Sequence, residues 1–193
     1  MAGRAPRRKF GPTQKDRIFL AVLPDAETAA RIHALAAELK REHSLDGTQI
    51  LPEHLHVTLF HLGDWNGLPE PIVAATRKAA DQAVAAPFDV AFDRAGSFRN
   101  RSGIHPFVLT GREGDRPWRS LYAALGDTLK QNGLASIVHG AFTPHVTLLR
   151  DGRSVKPAPA GPIGWTVREF VLIHSLLGKT THIHLARWPL RPL

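Results

Sequence analysis

The sequence predicts an α+β fold. Two observations carry the class. Segments with apolar residues at helical spacing stand among short segments that alternate apolar and polar residues, and several connections between the alternating segments are short enough for hairpins, which favours antiparallel pairing. A third observation sets the scale: 193 residues suit one domain, or one compact unit made of two similar lobes.

Residues 17–22, RIFLAV, read as the first strand. Pro24-Asp25 ends it, and Asp25 is placed to cap a helix running to about residue 41, with Ile32, Leu35, Ala36 and Leu39 on one stripe. Gly47 breaks that segment. Residues 50–51 and 55–62 read as strand, interrupted by Pro52. A second helix is predicted over 70–85, with Ile72, Val73, Thr76, Ala80 and Ala83 on one side. Residues 88–92 alternate Phe88, Val90 and Phe92 against Asp89 and Ala91, the pattern of a half-buried strand, and 106–110 form another. The loop between them, DRAGSFRNRSG, holds Arg94, Arg99 and Arg101. A third helix is predicted over 116–132: Pro117 suits its first turn, Gly133 its C-terminal cap, and Trp118, Leu121, Leu125 and Leu129 form its stripe. Residues 142–149 read as strand, the Pro/Gly-rich 157–164 as a connector, and 167–175 and 181–188 as the last two strands.

Composition narrows the function classes. With no cysteine there is neither a disulfide framework nor thiolate chemistry, which fits a reducing compartment. No apolar run approaches the roughly 20 residues of a membrane helix, and no apolar signal core follows the basic N-terminus. A cytoplasmic protein acting as a monomer, with no membrane partner, is expected. The net charge of +8 suggests nucleic acid, but six of the 25 basic residues fall within residues 1–17 against a single acid, Asp16, so the rest of the chain carries only +3. Residues 1–16 therefore read as a basic flexible arm, and residues 17–193 as the domain.

One local sequence occurs twice, 89 residues apart. LPEHLHVTLFHLGD contains His56-Val57-Thr58-Leu59, and GAFTPHVTLLRDGR contains His145-Val146-Thr147-Leu148. In a strand, His and Thr of each copy share one face, while Val and Leu share the other. A polar pair on an otherwise apolar strand must be hydrogen-bonded, wet, or lining a cleft. Either copy alone would fit a buried histidine satisfied by a backbone carbonyl. Two copies in matching contexts are what an internal duplication produces, with equivalent strands on either side of one cleft.

Two facing histidines can do specific chemistry. Imidazole has a reference pKa near 6.5, so at neutral pH one can accept a proton from water or a hydroxyl while the other donates one to a leaving oxygen. Each threonine hydroxyl, two residues along, can donate to a non-bridging phosphate oxygen. Arg150 follows Thr147 by three residues. Strict alternation puts it on the face opposite His145, so it reaches a phosphate only if the strand bends or ends near Asp151-Gly152; otherwise it is a solvent-exposed arginine at a strand end. No Walker-type phosphate loop is present.

The paired H-x-T-x motifs resemble those of the 2H phosphoesterase superfamily, in particular the RNA 2′,3′-cyclic phosphodiesterases, also called 2′-5′ RNA ligases. The likeness extends through RIFLAVLPD, FDVAFDRAGSF, FTPHVTLLR, and VREFVLIHSLL with GKTTHIHLARWPL. It implies a bilobal fold of two antiparallel sheets related by a pseudo-two-fold axis, with flanking helices and a central cleft. It implies metal- and cofactor-independent hydrolysis of a 2′,3′-cyclic phosphate at an RNA end to a 2′-phosphate, with reverse 2′-5′ joining. His56 is then the general acid on the leaving 3′-oxygen and His145 the base for water, in a chemistry nearly symmetric between them, and Thr58, Thr147 and Arg150 bind the phosphate. The chain departs from the family at the C-terminal hairpin: where a tyrosine is usual after the glycine, Gly178 is followed by Lys-Thr-Thr-His, and the position falls on Thr181 or His182.

Other readings stay open. The same histidines could serve small cyclic nucleotides or 2′,5′-oligonucleotides, or the cleft could bind RNA without turnover. His54, His56 and His61 suggest a metal, but in a regular strand His61 leaves the face shared by the other two, and no carboxylate or thiolate stands at suitable spacing. Phe60 shares the His56–Thr58 face in a regular strand and is placed either to stack on a base or to wall the cleft. Arg94, Arg99 and Arg101 are either an RNA track or a solvated loop.

Overall fold

The computed structural model describes residues 15–111 and 116–191. The predicted N-terminal arm lies outside these residues except for its last two. Of those, Asp16 does not belong to an arm: it is buried as the first residue of β1.

Among the described residues, eight strands and three α-helices follow in the order β1 (Asp16–Val22), α1 (Ala26–Glu42), β2 (Val57–Trp65), α2 (Glu70–Gln82), β3 (Phe88–Ser97), β4 (His105–Thr110), α3 (Arg116–Gln131), β5 (His145–Asp151), β6 (Ala158–Val167), β7 (Glu169–Leu176) and β8 (Thr181–Pro189). The strands form two four-stranded sheets, β2-β1-β7-β8 and β5-β4-β3-β6, in which neighbours are antiparallel. The fold is thus the expected α+β pair of sheets. The two strands that carry the repeated tetrapeptide, β2 and β5, occupy the same edge position in their respective sheets.

The helices form where periodicity and capping agree. Asp25 accepts hydrogen bonds from the backbone N–H and the hydroxyl of Thr28, 2.8 and 2.9 Å, at the start of α1. Ile32, Ala36 and Leu39 are buried along its inner stripe. Helix α3 buries Trp118, Leu121, Leu125 and Leu129 completely, and the Trp118 indole packs edge-on against Phe88, Phe92 and Phe142. Burying side chains of this size contributes about 1.5–3 kcal/mol each.

Several predicted boundaries are corrected. Residues 50–51 are not a strand. Gln49 makes one isolated bridge to Leu149 and Ile50 donates to the Leu148 carbonyl, 2.7 Å, but Pro52 has no N–H and opens a single 3-10 turn, Pro52–His54. Helix α2 ends at Gln82 because the chain turns extended at Ala83, which lets the Ala85 carbonyl accept Arg191 N–H. Strand β3 continues to Ser97, so Arg94 lies in a strand and not in the loop. Phe142 precedes β5 and stacks on Tyr122 at 4.5 Å; its apolar character serves the core. The predicted connector over 157–164 is largely strand β6. Its prolines are tolerated because β6 is an edge strand, with one side of its ladder unpaired, and because pairing with β3 breaks between Arg94↔Pro159 and Phe92↔Ile163.

Irregular pairing also shapes both motif strands. In β2, Thr58 pairs with Ala21 and Phe60 with Leu20, so Leu59 is an extra, bulged residue. In β5, Thr147 pairs with Val108 and Leu149 with Phe107, so Leu148 is extra. The bulge falls three residues after the histidine in both copies. From His56 to Leu62 and from His145 to Asp151 the burial sequence is identical: partial, buried, partial, buried, buried, exposed, buried.

The segment before Pro52 clamps the β5 bulge. Ile50 N–H meets the carbonyl of the bulged Leu148, and the Asp151 carboxylate accepts the N–H groups of Asp46 and Gly47 at 2.6 and 2.7 Å. Gly47 passes so close to β5 that a Cβ there would stand 2.1 Å from the Arg150 carbonyl oxygen.

Gly47→Ala is therefore expected to push this clamp off β5 and to lower the unfolding free energy by about 1–3 kcal/mol, measured by urea denaturation. An unchanged midpoint would contradict the close approach.

Candidate active site

The bulges decide which side chains meet. Each places two consecutive apolar residues in the core, Leu59-Phe60 and Leu148-Leu149, and so reverses the alternation beyond them. In the second copy this carries Arg150 to the same side as His145 and Thr147. In the first copy it carries Phe60 away from the cleft, into a stack with Tyr122 at 4.3 Å, and brings His61 to the cleft in its place. Strict alternation predicts the opposite for all three residues, because the face of a strand is counted from an unbroken ladder.

One cavity of about 580 Å³ is lined by His56, Thr58, His145, Thr147 and Arg150 together. All five residues singled out from sequence therefore share it. The repeated motif does not point to Arg17 or Phe19, which also line it. Their signal is present in RIFLAV, where alternation puts Arg17, Phe19 and Ala21 on one face. The β7–β8 turn completes the wall with Gly178, Thr180, Thr181 and His182, so both Thr181 and His182, between which the sequence left the tyrosine position open, lie at the cavity. Arg94, Arg99 and Arg101 are exposed and do not line the cavity.

The two imidazoles are held by the same local device. His56 Nδ1–H donates to the His54 carbonyl at 2.7 Å, and His145 Nδ1–H donates to the Thr143 carbonyl at 2.8 Å. A carbonyl only accepts, so Nδ1 carries the proton in both rings and Nε2 is the nitrogen left for chemistry. A phenylalanine rests against each ring with centroids 4.9 Å apart: Phe19 on His56 and Phe98 on His145. His182 contacts His56 edge-on at 5.7 Å and packs on His54 at 4.4 Å.

These surroundings set the protonation states. Burial pushes the His56 imidazole down to about 4, against the pull of the His54 carbonyl, and the nearby His145, His54 and Arg150 push the same way. Burial also lowers His145, with a smaller push from Arg150. His182 is driven down to about 4 by burial and by the neighbouring histidines. By itself the cleft therefore works against the protonated member of the expected neutral–protonated pair: burial holds His56 and His182 down to about 4, and His145 is shifted the same way. The cleft presents neutral imidazoles, two threonine hydroxyls and one guanidinium. That arrangement suits an anion, whose charge would favour protonation of a facing imidazole.

A second set of polar groups stands at the same cavity. Arg17 reaches the Asp64 carboxylate through Nε and Nη2, both at 2.7 Å, and His61 Nε2 lies 3.0 Å from the same carboxylate. Arg17 and His61 line the cavity while Asp64 does not. Among the described residues, no group of three or more His, Cys, Asp or Glu side chains is arranged to hold a metal ion, and no helix is long and apolar enough to cross a membrane.

The family model of the 2′-5′ RNA ligase superfamily matches residues 24–178. No curated protein matches the chain by sequence. Among solved structures, E. coli LigT in apo form is 26% identical, with a TM-score of 0.70, and the match covers 93% of this chain and 99% of LigT. E. coli LigT complexed with 3′-AMP matches over the same shares at 26% identity and a TM-score of 0.68. The protein TT0787 of Thermus thermophilus, 23% identical with a TM-score of 0.67 over 91% of this chain and 98% of its own, shares the fold.

A histidine held near 4 in the folded chain and near 6.5 in the unfolded one binds more protons when unfolded across that interval. Stability from His56 and His182 is therefore complete above about 6.5, is lost progressively as pH falls, and levels off for these groups below about 4. The urea midpoint should fall between pH 7 and pH 5, and His56→Asn should shrink that difference. A midpoint independent of pH over this range would contradict the burial of these rings.

Proposed function

The chain belongs to the 2′-5′ RNA ligase superfamily, and on that premise we propose that it hydrolyses 2′,3′-cyclic phosphates at RNA ends to 2′-phosphates, using His56 and His145 as its proton donor and acceptor. One observation carries the reading. Two imidazoles in a single cavity have Nδ1 fixed by the carbonyl two residues upstream, so that each offers Nε2 beside its own threonine. A fold that needed only buried, satisfied histidines would have no use for the second nitrogen, nor for two copies facing one space.

The geometry supports a plain sequence of steps. The cyclic phosphodiester binds as an anion, with Thr58 and Thr147 donating to its non-bridging oxygens and Arg150 adding a charged donor. These donors strengthen as those oxygens gain charge. His145 Nε2 takes a proton from water as its oxygen attacks phosphorus. His56, protonated on Nε2, gives that proton to O3′ as the P–O3′ bond breaks, leaving a 2′-phosphate and a 3′-hydroxyl. The cleft by itself holds His56 neutral, so the acid must gain its proton with the substrate, whose negative charge favours the imidazolium. Both proton carriers are side chains, so these steps call for no metal. With a 5′-hydroxyl in place of water, the same steps join the cyclic end to another strand through a 2′-5′ linkage, which matters only where hydrolysis is disfavoured. E. coli LigT complexed with 3′-AMP and with ATP lends support for a nucleotide ligand.

The direct test is incubation of an RNA ending in a 2′,3′-cyclic phosphate with the protein in EDTA, followed by separation of the 2′-phosphate product. Replacing His56 or His145 by Ala should lower kcat about 10²–10⁴-fold without loss of the folded far-UV spectrum. RNA binding with no product in the wild-type protein would leave a non-catalytic cleft as the better reading.

The pH profile gives an independent check. Because kcat/KM reports the free enzyme and both histidines lie below their ordinary value there, the singly protonated pair becomes scarce on the alkaline side. kcat/KM should fall as pH rises from about 6.5 to 8, with its maximum on the acidic side of neutrality. A rate that climbs over that interval would contradict the assignment.

A further inference from the structure

We propose that Arg17 and His61, braced by Asp64, form a second phosphate subsite in the cleft, which takes a phosphate of the substrate other than the reacting one. This rests on the function proposed above and deepens it: the preferred ligand carries two phosphate groups.

Pseudo-symmetry points to the place. His61 follows His56 by five residues, as Arg150 follows His145, and the bulge in each strand delivers both to the cavity. The two lobes therefore present a nitrogen donor group at equivalent positions, one on each side. They are not equivalent in reach. Arginine is several atoms longer than histidine, and the His61 ring is drawn back by the Asp64 carboxylate at 3.0 Å. An anion held by His61 accordingly stands off the axis between the two motif strands. Along β2, His61 lies three residues beyond Thr58, roughly 10 Å at strand spacing. That separates the subsite from the reacting phosphate while keeping it within one nucleotide of chain.

The chemistry suits phosphate. Asp64 binds Arg17 through Nε and Nη2, which leaves Nη1 without a hydrogen-bond partner among the described residues. The brace fixes a long side chain that would otherwise lose rotamer freedom on binding. The Arg17 guanidinium beside it holds the Asp64 carboxyl well below the usual carboxylate range, so the brace persists across neutral pH. Asp64 itself is not part of the cavity wall, so the ligand meets the donors and not the carboxylate. With Nε2 engaged by Asp64, Nδ1 is the His61 nitrogen left for a ligand. A bidentate-capable guanidinium is a donor that recognises phosphate oxygens.

Two sources supply such a phosphate: the 5′-phosphate of the reacting nucleoside, or the internucleotide phosphate of a longer chain. Equilibrium binding at fixed ionic strength separates them, with 3′-AMP, adenosine 3′,5′-bisphosphate, and an adenosine dinucleotide ending in a 3′-phosphate as probes. The wild-type protein should bind at least one of the two doubly phosphorylated probes about 10- to 100-fold tighter than 3′-AMP, and the tighter one identifies the source. Arg17→Gln and His61→Gln should collapse that ratio, and Arg17→Lys should retain part of it. Equal affinity of the wild type for all three probes overturns the proposal. So does an Arg17→Gln or His61→Gln variant that weakens all three to the same extent, since a purely structural role does that. Turnover is not needed for this measurement, so failure to hydrolyse a cyclic phosphate would overturn the enzymatic reading separately from the subsite.

Discussion

The cleft depends on one constraint: each motif strand must bury two successive apolar residues without surrendering its polar ones. Leu59-Phe60 and Leu148-Leu149 both belong to the core, yet His56, Thr58, His145 and Thr147 must stay on the cavity side. A regular strand cannot satisfy this, because successive side chains point to opposite faces. A bulge can, at the cost of one residue left out of the ladder. The sheets place both bulges on edge strands, where there is one neighbouring strand to keep in register. In β5 the freed carbonyl of Leu148 finds the Ile50 N–H, and Asp151 secures the segment that brings it. The packing requirement thus produces the functional geometry: Arg150 and His61 face the cavity because the residues before them had to face the core.

Orientation of the two histidines is local. Each imidazole bonds to a carbonyl two residues earlier in its own chain segment, so its tautomer does not depend on contacts from another lobe. Their acidity, in contrast, is collective. Phe19 comes from a neighbouring strand, Phe98 from the residue just after β3, and His182 from β8, and together they exclude water from rings whose charged forms need it. The cleft is consequently tuned toward neutral imidazole, and an anion bound there would favour uptake of a proton. At this same wall His182 packs on His54. Burial dominates, and His54 adds to the pressure against protonating His56, as His56 and His54 do for His182.

Carboxylates in this protein act as braces, and the cavity keeps its cationic and neutral character because they lie outside it. Asp16 ties the start of β1 to His174 of β7 at 2.6 Å and to Gly67 N–H at 2.8 Å. Asp151 ties the loop before Pro52 to β5. Asp64 ties Arg17 to His61. Each accepts bonds that hold a cleft-forming segment in place, and each is held below its ordinary carboxylate range by those bonds.

Much of this is legible in the order of the amino acids. Helical spacing locates α1, α2 and α3 to within a few residues, because amphipathic stripes are local in the chain. The repeated tetrapeptide, with the arginine after its second copy, names five residues that share the cavity. What fails does so for non-local reasons. The Pro/Gly-rich stretch at 157–164 resembles a connector until β3 is beside it to pair with. Phe142 resembles strand until Trp118 and Tyr122 claim it for the core. Asp16 resembles part of a charged arm until His174, 158 residues away, meets its carboxylate. The sequence by itself singled out five residues that line one cavity and the two matching strands that present them. Only the tertiary structure decided which way Phe60, His61 and Arg150 point and how far the histidines are held from their ordinary pKa. A bulge is the outcome of core packing competing with ladder pairing, and burial is a property of neighbours; both are set by residues distant in the chain.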